Sequence, residues 1–182
     1  MSAHARPVRL PALTLILGGT RSGKSAFAEE LCLKSGLQPV CVATARPLDA
    51  EMAARIARHR ARRGERWRTV EAPVDLPGAL RAERAPGRVV LADGLGVWLT
   101  NLLVEGADAE AALTALLAAV DAGGGPLVMV SEEVSLAPVA ADPLTRRFVD
   151  LLGDLNRALA ARAGRVVLVV AGLPLVLRDT FE

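Results

Sequence analysis

Tyrosine is absent from this 182-residue chain, and aromatic residues of all kinds make up only 3% of it. Platforms on which single-stranded bases stack are therefore scarce, and a formal net charge of +2 is too small to attract a polyanion, so no nucleic-acid partner is expected. Cysteine is nearly absent as well. Cys32 and Cys41, without Cys-x-x-Cys spacing, read as buried free thiols in a reducing compartment rather than as a disulfide framework. No apolar run reaches the roughly 18–20 residues that a bilayer-spanning helix needs, so no membrane span is expected. The basic stretch Met1–Arg6 is followed by an apolar run without a small-residue cleavage site, so no signal peptide is expected and a cytoplasmic location is the expectation.

What is present is a globular balance, 52% apolar and 23% charged, in a chain of single-domain length. Residues 1–12 read as an N-terminal tail and residues 13–182 as one domain. Apolar runs recur at Leu13–Leu17, Pro39–Ala43, Arg88–Ala92, Leu127–Ser131 and Arg165–Ala171. Continuous Val, Leu and Ile runs are the mark of strands buried on both faces of a parallel sheet. Segments of helical period lie between them: Ser25–Leu33, Asp49–Arg63 with Asp49 as N-cap, Asp108–Ala122 and Leu144–Arg162. Gly123–Pro126 breaks the chain before the fourth run, Gly172–Leu173–Pro174 ends the fifth, and Leu175–Glu182 reads as a short final strand with a loose tail. The pattern predicts a doubly wound, mainly parallel α/β sheet, which the G-x-x-x-x-G-K-S sequence of Gly18–Ser25 makes one of the P-loop NTPase type, with the loops that start at Gly18, Thr44, Asp93 and Glu132 converging on a ligand.

The first apolar run flows into Gly18–Gly19–Thr20–Arg21–Ser22–Gly23–Lys24–Ser25, a G-x-x-x-x-G-K-S loop between a strand and a helix. In such a loop Gly18 and Gly23 supply backbone freedom, so that successive N–H groups turn inward around a triphosphate. Lys24 supplies a cation for the β- and γ-phosphates, Ser25 a hydroxyl for Mg²⁺, and the helix its positive end.

Apart from His4, the chain has one histidine, His59, which helical geometry places on one face with Met52 and Ile56 and flanks with Arg55, Arg62 and Arg63. Two readings stand side by side. The histidine closes an apolar face above a solvated arginine stripe, or the arginines hold phosphate while a neutral imidazole attacks or relays a proton. Asp93, at the tip of the third run, is either a Mg²⁺-water ligand or a turn residue before Gly94. Glu132–Glu133 is a strand-end acidic pair, facing substrate or simply solvated. Glu71, after Trp67–Val70, has no reading from local chemistry.

Taken in order, these residues resemble the bifunctional adenosylcobinamide kinase/adenosylcobinamide-phosphate guanylyltransferase family of cobalamin biosynthesis. The resemblance runs from about Leu15 to Pro174. It rests on the Gly-Gly-x-Arg-Ser-Gly-Lys-Ser loop, Val42–Ala45, Asp49-x-Glu51–Met52-x-x-Arg55–Ile56-x-x-His59, Trp67–Arg68–Thr69-x-Glu71, Asp93-x-Leu95-x-x-Trp98-x-x-Asn101–Leu102–Leu103, and Arg147–Phe148-x-Asp150-x-x-Gly153-x-x-Asn156. It implies a kinase step on the corrinoid alcohol, with GTP or ATP as donor, followed by GMP transfer from GTP through a histidine, which would be His59. Lys24 would join it as a catalytic residue, and Ser25 and Asp93 would hold Mg²⁺. Contacts to GTP would come from Gly18, Gly19, Thr20, Arg21, Ser22, Gly23, Lys24 and Ser25, from Ala43, Thr44 and Ala45, from Arg60, Ala61, Arg62 and Arg63, and from Glu71 and Asp93. A homo-oligomer is implied too, and the Ala/Leu-rich helices could supply its interface.

The chain departs from the family pattern at two places. The usual Ser-Asn-Glu-Val-Gly-x-Gly is Ser131–Glu132–Glu133–Val134–Ser135–Leu136–Ala137 here, which removes two flexible residues and adds a carboxylate near the phosphates; the usual Asp-Cys is Asp93–Gly94. A kinase for another small alcohol, with His59 structural, and a regulatory P-loop module that hydrolyses slowly are the competing functions. The behaviour of His59 separates them, because only the guanylyltransferase demands a covalent nucleotide on it.

Overall fold

A computed structural model describes residues 7–136 and 138–180; His4, Ala137 and the last two residues of the expected final strand lie outside the described residues. Seven strands form a single sheet in the order β3-β2-β4-β5-β1-β6-β7: β1 (Leu13–Gly18), β2 (Gln38–Ala43), β3 (Arg68–Glu71), β4 (Arg88–Asp93), β5 (Leu127–Glu132), β6 (Arg165–Val170) and β7 (Leu173–Asp179). All neighbours pair in parallel except β7, which runs antiparallel to β6. The fold is thus the single, mainly parallel, doubly wound α/β domain that the spacing of apolar runs predicts.

Alternation along the strands builds two cores. Leu15, Leu17, Val90, Ala92 and Met129 face one side, where α3 (Leu76–Glu83), α4 (Leu95–Val104), α5 (Ala109–Asp121) and α6 (Pro143–Arg162) cover them. Ile16, Val89, Leu91, Val128 and Val130 face the other, under α1 (Lys24–Lys34) and Trp67. Val8 and Leu10 of the expected tail pack on this second core, and the Val8 N–H donates to the Lys34 carbonyl at 2.9 Å. Aspartates start four of the helices: the carboxylates of Asp49, Asp75, Asp108 and Asp142 accept from the N–H of Met52, Gly78, Ala111 and Thr145.

Three elements escape the periodicity reading, each for a physical reason. β3 is a short edge strand with mostly exposed side chains, so no apolar run marks it. α3 carries Pro77 and Gly78 in its first turn, and these read as breakers in sequence although proline is favoured at a helix start. α4 is apolar almost all round, with Leu95, Trp98, Leu99 and Leu102 buried, so it shows no polar face. The C-terminus also differs. The turn after β6 is Ala171–Gly172, both at positive φ, and Pro174 lies within β7, tolerated because β7 is an edge strand.

The Ala/Leu-rich helix α5 directs Leu113, Leu116, Ala119 and Val120 into the core and does not offer them as an interface. Exposed apolar side chains gather instead on the β6–β7 hairpin at Val170, Leu173, Leu175, Val176 and Leu177. Among the described residues no helix is long and apolar enough to cross a membrane.

Candidate active site

β1 ends at Gly18, and α1 begins at Lys24 with Gly23 as its N-cap at φ 94°, a left-handed conformation that favours glycine. Gly18 is needed for a different reason from the backbone freedom expected of it. Its φ is not positive, but a Cβ there would lie 2.6 Å from the Val169 carbonyl oxygen and against the Ser22 hydroxyl. The residues between form a compact turn in which Arg21 takes a positive φ of 58° and Ser22 N–H donates to Gly19 O at 3.3 Å. Ser22 Oγ is buried and has no hydrogen-bond partner among the described residues, an acceptor-seeking hydroxyl inside a loop shaped for an anion. Lys24 is buried too; its Nζ donates to Gly19 O at 3.2 Å and stands 3.6 Å from Glu132 Oε1.

The parallel register carries the other strand ends to the same edge. Ala43 pairs with Asp93 and with Glu71, and Gly18 pairs with Glu132. Thr44 ties two of these ends together, donating through Oγ1 to Asp93 O at 3.1 Å and Gly94 O at 2.8 Å, while Asn101 Nδ2 donates to Thr44 O at 2.9 Å. The four loops expected to converge do so.

Asp93 is the hub. Its Oδ1 accepts from Ser25 Oγ at 2.9 Å, its Oδ2 from Arg63 Nη2 at 2.9 Å, and His59 Nδ1 lies 3.7 Å from Oδ2. Burial alone would push the Asp93 carboxyl up, but the attraction of His59, the Arg63 charge and the Ser25 hydroxyl outweigh it and hold Asp93 below the usual carboxylate range. It is an anion in a dry place, facing the loop that presents Ser25. A hydroxyl and an ionised carboxylate are the hard oxygen donors that suit Mg²⁺, so Ser25 and Asp93 fit a magnesium ion. Ligand atoms of Glu29, His59 and Asp93 also lie within 4.8 Å of one another, yet Arg63 bridges Glu29 and Asp93, and a cation already balances that trio.

His59 stands on α2 (Ala50–Arg63), half-buried on the face it shares with Met52 and Ile56, as helical geometry requires. It borders two adjoining clefts, each also lined by Lys24, Ser25 and Arg55. The first, of about 500 Å³, runs past Ala43, Ala45, Arg60, Glu71, Asp93 and Glu132. The second, of about 620 Å³, is walled by Thr20, Arg21, Ser22 and Gly23 on one side and Arg58 and Arg62 on the other.

The structure divides the arginines that the sequence groups together. Arg63 is not on a solvated stripe: it is buried, with Nε donating to Glu29 Oε1 at 2.8 Å. Arg62 Nε donates to Glu29 Oε2 at 2.5 Å, and Arg60 pairs with Glu71. Ala61 is exposed and reaches neither cleft, and Thr44 serves the strand ends rather than lining the cavity. Among the described residues, Arg21, Arg55 and Arg58 carry no ion pair, and all three border the second cleft. Glu29 is the residue the sequence could not reveal. It looks like any polar residue of an amphipathic helix, and its partners lie 33 and 34 positions away.

Known proteins share the fold of this chain and, in part, its sequence. The flagellar accessory protein FlaH of Methanocaldococcus jannaschii superposes with a TM-score of 0.51 at 10% identity over 92% of this chain and 78% of that one. The ATPase EscN of enteropathogenic E. coli gives 0.54 at 10% identity over 87% of this chain and 43% of that one. These likenesses speak for the fold alone. In sequence, the chain is 47% identical over 168 residues to the bifunctional adenosylcobalamin biosynthesis protein CobP of Pseudomonas aeruginosa, covering 90% of this chain and 96% of that one. It is 39% identical over 176 residues to the bifunctional adenosylcobalamin biosynthesis protein CobU of Escherichia coli K12, covering 88% and 97%. The model of the family described as cobinamide kinase / cobinamide phosphate guanyltransferase matches residues 14–177, and with nearly the whole domain accounted for, the chain belongs to that family.

Proposed function

We propose that this enzyme phosphorylates the aminopropanol hydroxyl of adenosylcobinamide and then guanylylates the product, using GTP and a GMP-histidine intermediate on His59. The observation that carries the reading is the placement of His59. It borders both clefts together with Lys24, and its Nδ1 faces Asp93 at 3.7 Å.

In the kinase step the γ-phosphoryl group passes from the nucleotide, GTP or ATP, to the corrinoid hydroxyl. Lys24 and the loop N–H groups neutralise the transferred phosphoryl and hold it in line. Ser25 and Asp93 would hold Mg²⁺, which would supply charge neutralisation for the phosphates. In the guanylyl step, with Nδ1 turned to Asp93, His59 Nε2 keeps its lone pair for the α-phosphorus of GTP. The N–P bond forms as the bond to pyrophosphate breaks. A phosphate oxygen of the corrinoid phosphate then attacks the same phosphorus, the N–P bond breaks, and adenosylcobinamide-GDP leaves with His59 restored. Arg21, Arg55 and Arg58 are the cations best placed to meet phosphate oxygens across the second cleft, while Arg60, Arg62 and Arg63 shape α2 around their carboxylates.

The reading places the reaction in the cytoplasm with a small-molecule corrinoid partner and no nucleic acid. It assigns self-association to the exposed β6–β7 hairpin, which sedimentation of Leu175→Glu checks. The test of function is turnover: with Mg²⁺, GTP and adenosylcobinamide, mass spectrometry should find the corrinoid phosphate and then its GDP derivative, and His59→Ala should stop at the phosphate. Absence of both products from the wild type overturns the reading.

A further inference from the structure

We propose that Glu132 is the catalytic residue that accepts the proton of the attacking hydroxyl in phosphoryl transfer. The inference rests on the kinase half of the function proposed above and adds a residue to it. Glu132 closes β5, the strand beside β1, in register with Gly18, so the carboxylate stands at the mouth of the phosphate loop. Its Oε1 lies 3.6 Å from Lys24 Nζ, the cation that meets the β- and γ-phosphates. Its Oε2 accepts from the Gly96 N–H at 3.1 Å, in the first turn of α4, where backbone donors have no partner within the helix. A Cβ at Gly96 would overlap Oε2, so the missing side chain is what lets the carboxylate dock there. One oxygen is thus fixed by backbone while the other faces the cleft, and the side chain keeps 25% of its surface open.

The other carboxylates lining this cleft are engaged. Asp93 accepts from Ser25 and Arg63 and is held well below the usual carboxylate range by its partners, which makes it a poor proton acceptor. Glu71 is paired with Arg60. Among the described residues Glu132 has Lys24 as its one charged partner, facing Oε1, and a bound triphosphate would draw that lysine to its own oxygens. The hydroxyl O–H proton passes to Glu132 Oε1 as the new O–P bond forms on the γ-phosphorus and the bond to the β-phosphate oxygen breaks. The nucleoside diphosphate leaves with that electron pair, and the carboxylic acid returns its proton to solvent.

Glu132→Gln keeps the size of the side chain and an oxygen for the Gly96 N–H but removes the basic site. With adenosylcobinamide and Mg²⁺-ATP, kcat for phosphorylation should fall by about 10²–10⁴-fold, the range general-base catalysis contributes. The Kd for Mg²⁺-ATP should stay equal or tighten, and the acid limb of the wild-type kcat profile should flatten. Full kcat in the variant, a Kd weakened as much as kcat, or an unaltered acid limb each overturns the assignment while leaving the kinase reading intact. A wild type that forms no corrinoid phosphate overturns that reading, and with it the assignment.

Discussion

Arg63, the last residue of α2, donates from Nη2 to Asp93 Oδ2 at 2.9 Å, with side chains only 5% and 12% exposed. The helix that carries His59 is therefore fastened to the sheet edge by a buried ion pair, and Glu29 extends the fastening to α1. Met52 and Ile56 are only half-buried, so apolar packing holds α2 weakly and the charge network sets where His59 stands.

Replacing Arg63 should consequently damage both stability and the site. Arg63→Met leaves Glu29 and Asp93 as neighbouring buried anions, and breaking a buried pair from one side costs about 3–5 kcal/mol. Urea denaturation at neutral pH measures it; a change below about 1 kcal/mol would show that water compensates the carboxylates and that the network does not anchor α2.

Lys24→Ala should abolish binding of Mg²⁺-nucleotide, read by calorimetry, because the loop loses the cation aimed at the β- and γ-phosphates. Unaltered affinity would contradict the assignment of Gly18–Ser25 as the phosphate loop.

Acid should unfold the protein partly through Asp93. Its folded-state pKa is depressed, so its contribution to stability is complete above the ordinary unfolded value of about 3.9 and is lost as pH falls through the folded value. Urea midpoints measured from pH 7 to pH 3 should decline less steeply in Asp93→Asn than in the wild type. Parallel declines would mean that other carboxylates carry the acid sensitivity.

Both cysteines should resist alkylation in the native state. Burial pushes the Cys41 thiol up to about 12 and the Cys32 thiol higher, so neither offers thiolate at pH 8. A thiol reagent should modify neither until denaturant is added. Rapid labelling of either in buffer would show that α1 opens from the sheet.

Much of this was legible in the sequence wherever a single segment carried its own signal. The phosphate loop is contiguous, the β1, β4 and β5 runs are unbroken, and Asp49 caps the helix that the pattern starts there. Signals shared between distant segments were not legible. Nothing near Arg63 says that it turns inward to Glu29 and Asp93, and nothing near Glu71 says that β3 lies beside β2 and brings it to the cleft mouth. Glu132 showed only as a carboxylate out of place; its docking to Gly96 exists only once β5 and the start of α4 meet.

The central claim is that His59 forms a covalent bond to the nucleotide. Incubating the protein with Mg²⁺ and GTP labelled at the α-phosphate, then denaturing it, tests this directly. The account predicts label that stays with the wild-type chain, survives base, is lost in acid and is absent from His59→Ala. Wild-type protein that binds GTP yet retains no label would contradict it and leave His59 a structural residue of a plain kinase.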